Sequence, residues 1–167
     1  FDTVYAGDMA GDLYKFTIGG AAVKLFAAGT TQPITIAPLV AKNPYNPPDT
    51  WVFFGTGRDL SLSDYSDSAN ANIQGWYGFI DGGALIAESS LEEVTITYED
   101  AIGRVLSENA GLASGKKGWF IDLKLSGGPA RGERMVEPNF FQGFTLIGTT
   151  RFPVSGDPCA PSGKGYT

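Results

Sequence analysis

A chain of 167 residues and 17.7 kDa is one domain's worth of polymer, and its 43% hydrophobic and 18% charged residues exclude intrinsic disorder. The 23 Gly and 10 Pro leave little room for long helices, so an all-β fold is expected. The absence of histidine removes Ser-His-Asp, Cys-His and His-zinc chemistry, and a net charge of -6 repels phosphate backbones, so no nucleic-acid partner is expected.

Thr3 to Asp8 alternates as a strand, Met9-Ala-Gly11 punctuates, and Asp12 to Ile18 alternates again, which predicts a β-hairpin. Gly11 supplies the positive φ that a tight connection needs, and Asp8 is suited to accept turn amides. Asp8 and Asp12 therefore read as turn residues rather than as a carboxylate pair for acid-base work. Ala22 to Ala27 and Pro33 to Val40 are expected as the next strands, at a spacing that suggests a sandwich, barrel or propeller. The three prolines of Asn43 to Asp49 fix a loop.

Trp51 to Gly57 is an apolar run of strand formers and reads as buried, with Gly55-Thr-Gly57 allowing close backbone approach at its exit. Asp59 to Asn72 is polar and is expected to be a helix-poor surface loop; its acids do not match the D-x-D-x-D-G calcium pattern. Strands are expected again at Trp76 to Ile80 and Glu93 to Tyr98. Asp100 to Ala110 admits a short helix or an edge strand, and Gly103 favours the strand. Gly118 to Leu125, Glu133 to Val136 and Phe144 to Arg151 complete the series.

Residues 59 to 100 hold nine acids and no base, whereas residues 104 to 151 hold seven bases against four acids, so the two segments are expected to neutralise each other. Trp51, Trp76 and Trp119 lie in strand candidates, where filling a core is favoured over a sugar-stacking platform. The longest apolar runs, Trp51 to Phe54 and Phe144 to Ile147, fall far short of the roughly 20 residues of a membrane helix, so no span is expected. The single Cys159 cannot form a disulfide within these residues. The chain opens on Phe-Asp-Thr without a Met or a signal-like segment, and is read as a piece of a longer protein.

Asp2 to Phe16, with its run Val-Tyr-Ala-Gly-Asp-Met-Ala-Gly-Asp-Leu-Tyr-Lys-Phe, resembles the blade hairpin of the C-terminal β-propeller region of the PilY1 family of type IV pilus proteins, itself related to quinoprotein-dehydrogenase repeats. Gln32-Pro-Ile-Thr, Ala37-Pro38, Trp51 to Arg58, Gly118 to Leu123, Gly132-Glu-Arg-Met-Val136 and Asp157-Pro-Cys159 resemble the family's further signatures, in its order. The resemblance implies that residues 1–167 are the C-terminal part of a propeller domain, about two to three blades, closed by upstream blades of the same protein. It implies structural roles for Gly7, Asp8, Gly11, Gly55, Gly57 and Trp119, and a possible calcium site in which Asp2 is the last ligand of an acidic loop lying mostly upstream.

The role the resemblance implies is a non-enzymatic surface factor in pilus biogenesis, adhesion and twitching motility. It would be secreted through the periplasm to the outer membrane and pilus tip, with minor pilins, a host receptor or a surface glycan as partners. A quinone-dependent dehydrogenase and a carbohydrate-binding module using Trp76 or Trp119 stand as alternatives.

Overall fold

The computed structural model describes residues 2–43, 46, 48–108, 111–153 and 164–167. The expected hairpin forms from β1, Thr3–Gly7, and β2, Asp12–Thr17, paired antiparallel with Gly7 opposite Leu13. Its turn is built by the Asp8 carboxylate, which accepts the amides of Ala10 and Asp12, and by Gly11 at φ 80°. A side chain at Gly11 would run into the carbonyls of Gly29 and Gln32, so this position excludes any Cβ. β3, Val23–Ala27, adds to β2 and completes a three-stranded sheet.

The second sheet has five strands in the order β4, β5, β6, β10, β7. These are β4, Leu39–Lys42; β5, Thr50–Gly55; β6, Gly75–Ile80; β7, Glu92–Glu93; and β10, Gly118–Asp122. Pairing is antiparallel except for β10 with β7, which is parallel. Two hairpins stand apart: β8, Ile96–Glu99, with β9, Arg104–Leu106, and β11, Phe140–Gln142, with β12, Thr145–Ile147. The chain is all-β apart from short helical turns, and no sheet closes on itself among the described residues.

Four expectations are corrected. Pro33 to Val40 is not one strand: Ile34 makes a lone bridge to Gly57, and pairing starts only at Leu39, because Pro33 and Pro38 have no amide to give a ladder. Glu133 to Val136 likewise makes a single bridge, Arg134 with Arg151. The Phe144 to Arg151 strand is confined to β12, and its partner β11 was not expected. Asp59 to Asn72 is neither helix-poor nor wholly on the surface. It contains a 3-10 turn, Leu62–Tyr65, and a helical turn α1, Asp67–Asn70, around a buried Asp64 whose carboxylate accepts the amides of Leu60 and Ser61. Asp157 and Cys159 lie outside the described residues.

The core lies between the two sheets. Leu13, Leu25 and Phe26 from the first meet Val52, Phe54, Tyr77 and Phe79 from the second, each fully buried. Phe54 stacks on Tyr77 with ring centroids 5.0 Å apart, and Phe26 tilts against both. The Tyr77 hydroxyl donates to Gln32 Oε1 at 2.6 Å, and burial pushes its pKa up. At the rim, the Tyr5 hydroxyl and Lys15 Nζ both reach the Asp81 carboxylate at 2.6 Å and so tie the first sheet to the end of β6. Burial alone would raise the pKa of Asp81, but Lys15, Tyr5 and the Gly83 amide hold it below the ordinary value.

Candidate functional site

Strand alternation gives the five-stranded sheet a second face, opposite the core. Register places Trp51, Phe53 and Gly55 of β5, Trp76 and Gly78 of β6, and Trp119 and Ile121 of β10 on it. One part of this face is covered by the segment that carries Glu133, Arg134 and Met135. A Cβ at Gly55 would collide with the Met135 side chain, and one at Gly57 with Cβ of Arg134. Gly57 also has φ 136°, where an L side chain is strained. The two glycines thus admit the Arg134 segment against the β5 exit, and the Met135 amide donates to Thr56 O at 2.9 Å.

Arg134 is buried and spends its guanidinium on the carbonyls of Gly132, Arg58 and Asp64 and on Asn70 Oδ1, at 2.8 to 2.9 Å. Burial lowers its pKa, against the charges of Asp59 and Asp64. Asp64 also pairs with Arg58. Burial would raise its pKa, but the amides of Leu60 and Ser61 and the Arg58 cation hold it down. Glu133, 1% exposed, takes two hydrogen bonds from Arg104, which also binds Glu99 and lies under the Tyr166 ring, 3.7 Å from its centroid. The pairs Arg104 with Glu99, Arg131 with Glu99 and Arg151 with Asp59 join the acidic and basic segments, as their charge pattern implied.

The rest of the second face is partly covered: Phe53 and Ile121 are buried, whereas Trp51, Trp76 and Trp119 are half-buried. Trp51 stacks on Phe53, Phe53 tilts against Trp119, and Trp119 meets Trp76 edge-on at 5.3 Å. A side chain at Gly78 would collide with Phe53 and Trp119, so this glycine lets the row close up. The β11–β12 hairpin lays Phe141 edge-on over Phe53. Between hairpin and sheet runs a groove of about 830 Å³, lined by Trp51, Phe53, Trp119, Phe141, Phe144 and Leu146. Phe144, at the hairpin turn, is 88% exposed. Sequence reasoning missed the hairpin wall, since Phe140-Phe141 follows Pro138 without alternation; the paired aromatics themselves were the available signal.

Of the residues singled out in the sequence, Gly7 packs its bare Cα against Ile34, and Asp8 and Gly11 form the hairpin turn. Gly55 and Gly57 meet the Met135-Arg134 segment, and Trp76 and Trp119 belong to the aromatic row. Asp2 is exposed, its carbonyl accepting the Ile18 amide, and among the described residues no three His, Cys, Asp or Glu side chains gather as a metal would need.

Two packed sheets, crossed ionic segments and a partly covered aromatic face define an all-β module. No family model matches the chain. It is 40% identical over 99% of its length to a type IV pilus biogenesis factor PilY1 homolog of Xylella fastidiosa, and 25% identical over 99% to a second PilY1 homolog of that organism. The crystal structure of the Pseudomonas aeruginosa PilY1 C-terminal domain superposes with a TM-score of 0.74 over 91% of this chain, at 21% identity, which shows a shared fold. The chain belongs to the PilY1 family. It spans 14% and 13% of the two curated relatives and 42% of the crystallised domain.

Proposed function

We propose that this chain is a non-enzymatic part of a type IV pilus biogenesis factor, acting as an interaction scaffold at the cell surface. The observation that carries this reading is the 40% identity, sustained over 99% of the chain, to a protein named for that role. The two sheets are blades of a partial β-propeller. The edges β4 and β7 and the aromatic groove are where further blades of the same protein pack, in keeping with a crystallised relative of which this chain covers only 42%. A sheet aromatic on both faces belongs between two layers.

In the same reading the protein reaches the outer membrane and pilus tip through the periplasm and meets minor pilins there. It promotes adhesion and twitching motility, and contributes Asp2 to a calcium loop formed with preceding residues. The test is deletion of the parent gene, with surface pili counted by electron microscopy and attachment measured. Loss of both, restored by the wild-type gene, is expected; normal piliation and attachment in the deletion strain would overturn the proposal. Calorimetry of the full-length protein with and without chelator tests calcium, and an unchanged Tm would remove it.

A further inference from the structure

Beside the exit of β5 lies a small cavity of about 120 Å³, set between the loop that follows β3, the loop that follows β5 and Arg134. Its walls carry two guanidinium groups, Arg58 and Arg134, and one carboxylate, Asp64, which is one net positive charge in a chain whose total is -6. Arg134 is 5% exposed and makes no ion pair among the described residues; three carbonyls and Asn70 Oδ1 hold its N–H groups. Asp64, 1% exposed, is satisfied by the amides of Leu60 and Ser61, the Ser61 hydroxyl and Arg58 Nε. That pair fixes Arg58 through Nε alone. Its two Nη groups, on a side chain 44% exposed, have no hydrogen bond among the described residues. The same is true of the Thr30 and Thr31 hydroxyls, which are exposed, and of the half-buried Asn72 side chain, all three at the cavity wall. A buried cation without a paired anion is costly, so the cavity is short of one negative charge.

The groups left accessible there can all donate. Two Nη groups on one guanidinium match the two oxygens of a carboxylate as a fork, and hydroxyl and amide donors beside them can take the remaining lone pairs. One net positive charge suits a monoanion, whereas a phosphate dianion would bring a second charge to a wall that already holds Asp64. A water needs roughly 10 to 15 Å³ of such space, so the cavity has room for about eight water-sized groups or a few more: a carboxylate on a short carbon stem. We infer that this cavity binds a carboxylate, either the carboxyl end of a polypeptide or a small free acid, with its oxygens on the Arg58 Nη groups and its charge offsetting that of Arg134. The site is separate from the aromatic groove and does not rest on the pilus role.

The experiment is saturation-transfer NMR on the full-length protein with propionate, propionamide, acetyl-dialanine and acetyl-dialanine amide as probes. Transfer to the acids and not to the amides is expected, because an amide keeps the shape and lacks the charge. Transfer to acetyl-dialanine equal to or stronger than that to propionate marks a chain end as the source, and transfer to propionate alone marks a small free acid. Arg58→Lys keeps a cation beside Asp64 and removes the fork, and is expected to weaken binding roughly tenfold. Ala69→Leu, at the cavity wall, fills the space without touching a charge and is expected to abolish binding. Thr31→Val, at an exposed position, removes one hydroxyl; a few-fold loss of binding with unchanged Tm is expected, which separates lost binding from lost folding. No transfer to either acid at about 10 mM, equal transfer to the amides, binding indifferent to all three variants, or displacement of the acids by phosphate at a lower concentration than by acetate would each overturn the inference.

Discussion

The five-stranded sheet has two faces made of the same residue types and finished in opposite ways. On the inner face, Val52, Phe54, Tyr77 and Phe79 are fully buried against the first sheet. On the outer face, Trp51, Phe53 and Trp119 form an equally aromatic row, covered piecemeal by the β11–β12 hairpin, the Met135 segment and the side chains of Val94 and Ile96. Composition therefore does not decide which face is closed. The partner layer does, and the outer face differs from a core only in what covers it.

The largest expected effect breaks the inner face. Phe54→Ala empties a packed site between Phe26 and Tyr77 and is expected to cost about 3 to 5 kcal/mol in denaturant unfolding, a shift that would be small if the faces were equivalent. Next is the polar cover of the outer face. Glu133→Gln takes one of two carboxylate partners from Arg104, leaving Glu99, and is expected to cost about 2 to 3 kcal/mol, the worth of charge-assisted hydrogen bonds in a buried site. Gly57→Val meets both the φ of 136° and the Arg134 side chain, with an expected loss of about 2 kcal/mol or more; an unchanged Tm would mean the segment docks elsewhere.

A smaller effect is carried by pH. Asp59, Asp64 and Asp81 have folded pKa values held below their ordinary ones, so their stabilisation is present above the ordinary carboxylate pKa and fades as pH falls through the lowered values. Asp122 is the reverse case. Burial first, and then the charge of Glu93, raises its pKa, so its ionised form opposes folding at neutral pH. Asp122→Asn is expected to raise Tm at pH 7, with the gain vanishing as pH falls below the raised value; Asp64→Asn is expected to lower Tm at pH 7. Thermal melts from pH 3 to 7 check both signs. The smallest effect sharpens the outer face: Phe144→Ser, at an 88% exposed site, is expected to change stability by less than about 0.5 kcal/mol. In the full-length protein the same change is expected to lower surface piliation if the groove is a packing site.

Much of the fold was legible wherever local chemistry decides it. Alternation and Gly11 mark the first hairpin, and the apolar run Trp51 to Phe54 marks a strand buried on both sides. What escaped depends on distant partners. Asp64 reads as one acid in a polar loop until Arg58, Arg134 and the amides of Leu60 and Ser61 converge on it, and no local pattern announces that. Asn139 carries no signal at all in the sequence, yet it is 4% exposed and lies beside Gly148. The candidate surface was half visible: Trp76 and Trp119 stood out as aromatics, while the wall formed by Phe141 and Phe144 required the hairpin.

The crossing of Arg58 with Arg134 has a kinetic side. The hydrogen bond between them joins residues 76 positions apart, and Arg151 with Asp59 spans 92. Closures over such distances lose chain entropy before they are rewarded, and folds dominated by them are slow. A ribosome supplies Trp51 to Phe54 several seconds before Arg134 exists, at roughly 5 to 20 residues per second. Throughout that interval the outer face of the strand lacks its Met135 lid and the β11–β12 hairpin, so its exposure during synthesis is a liability that the finished structure no longer displays.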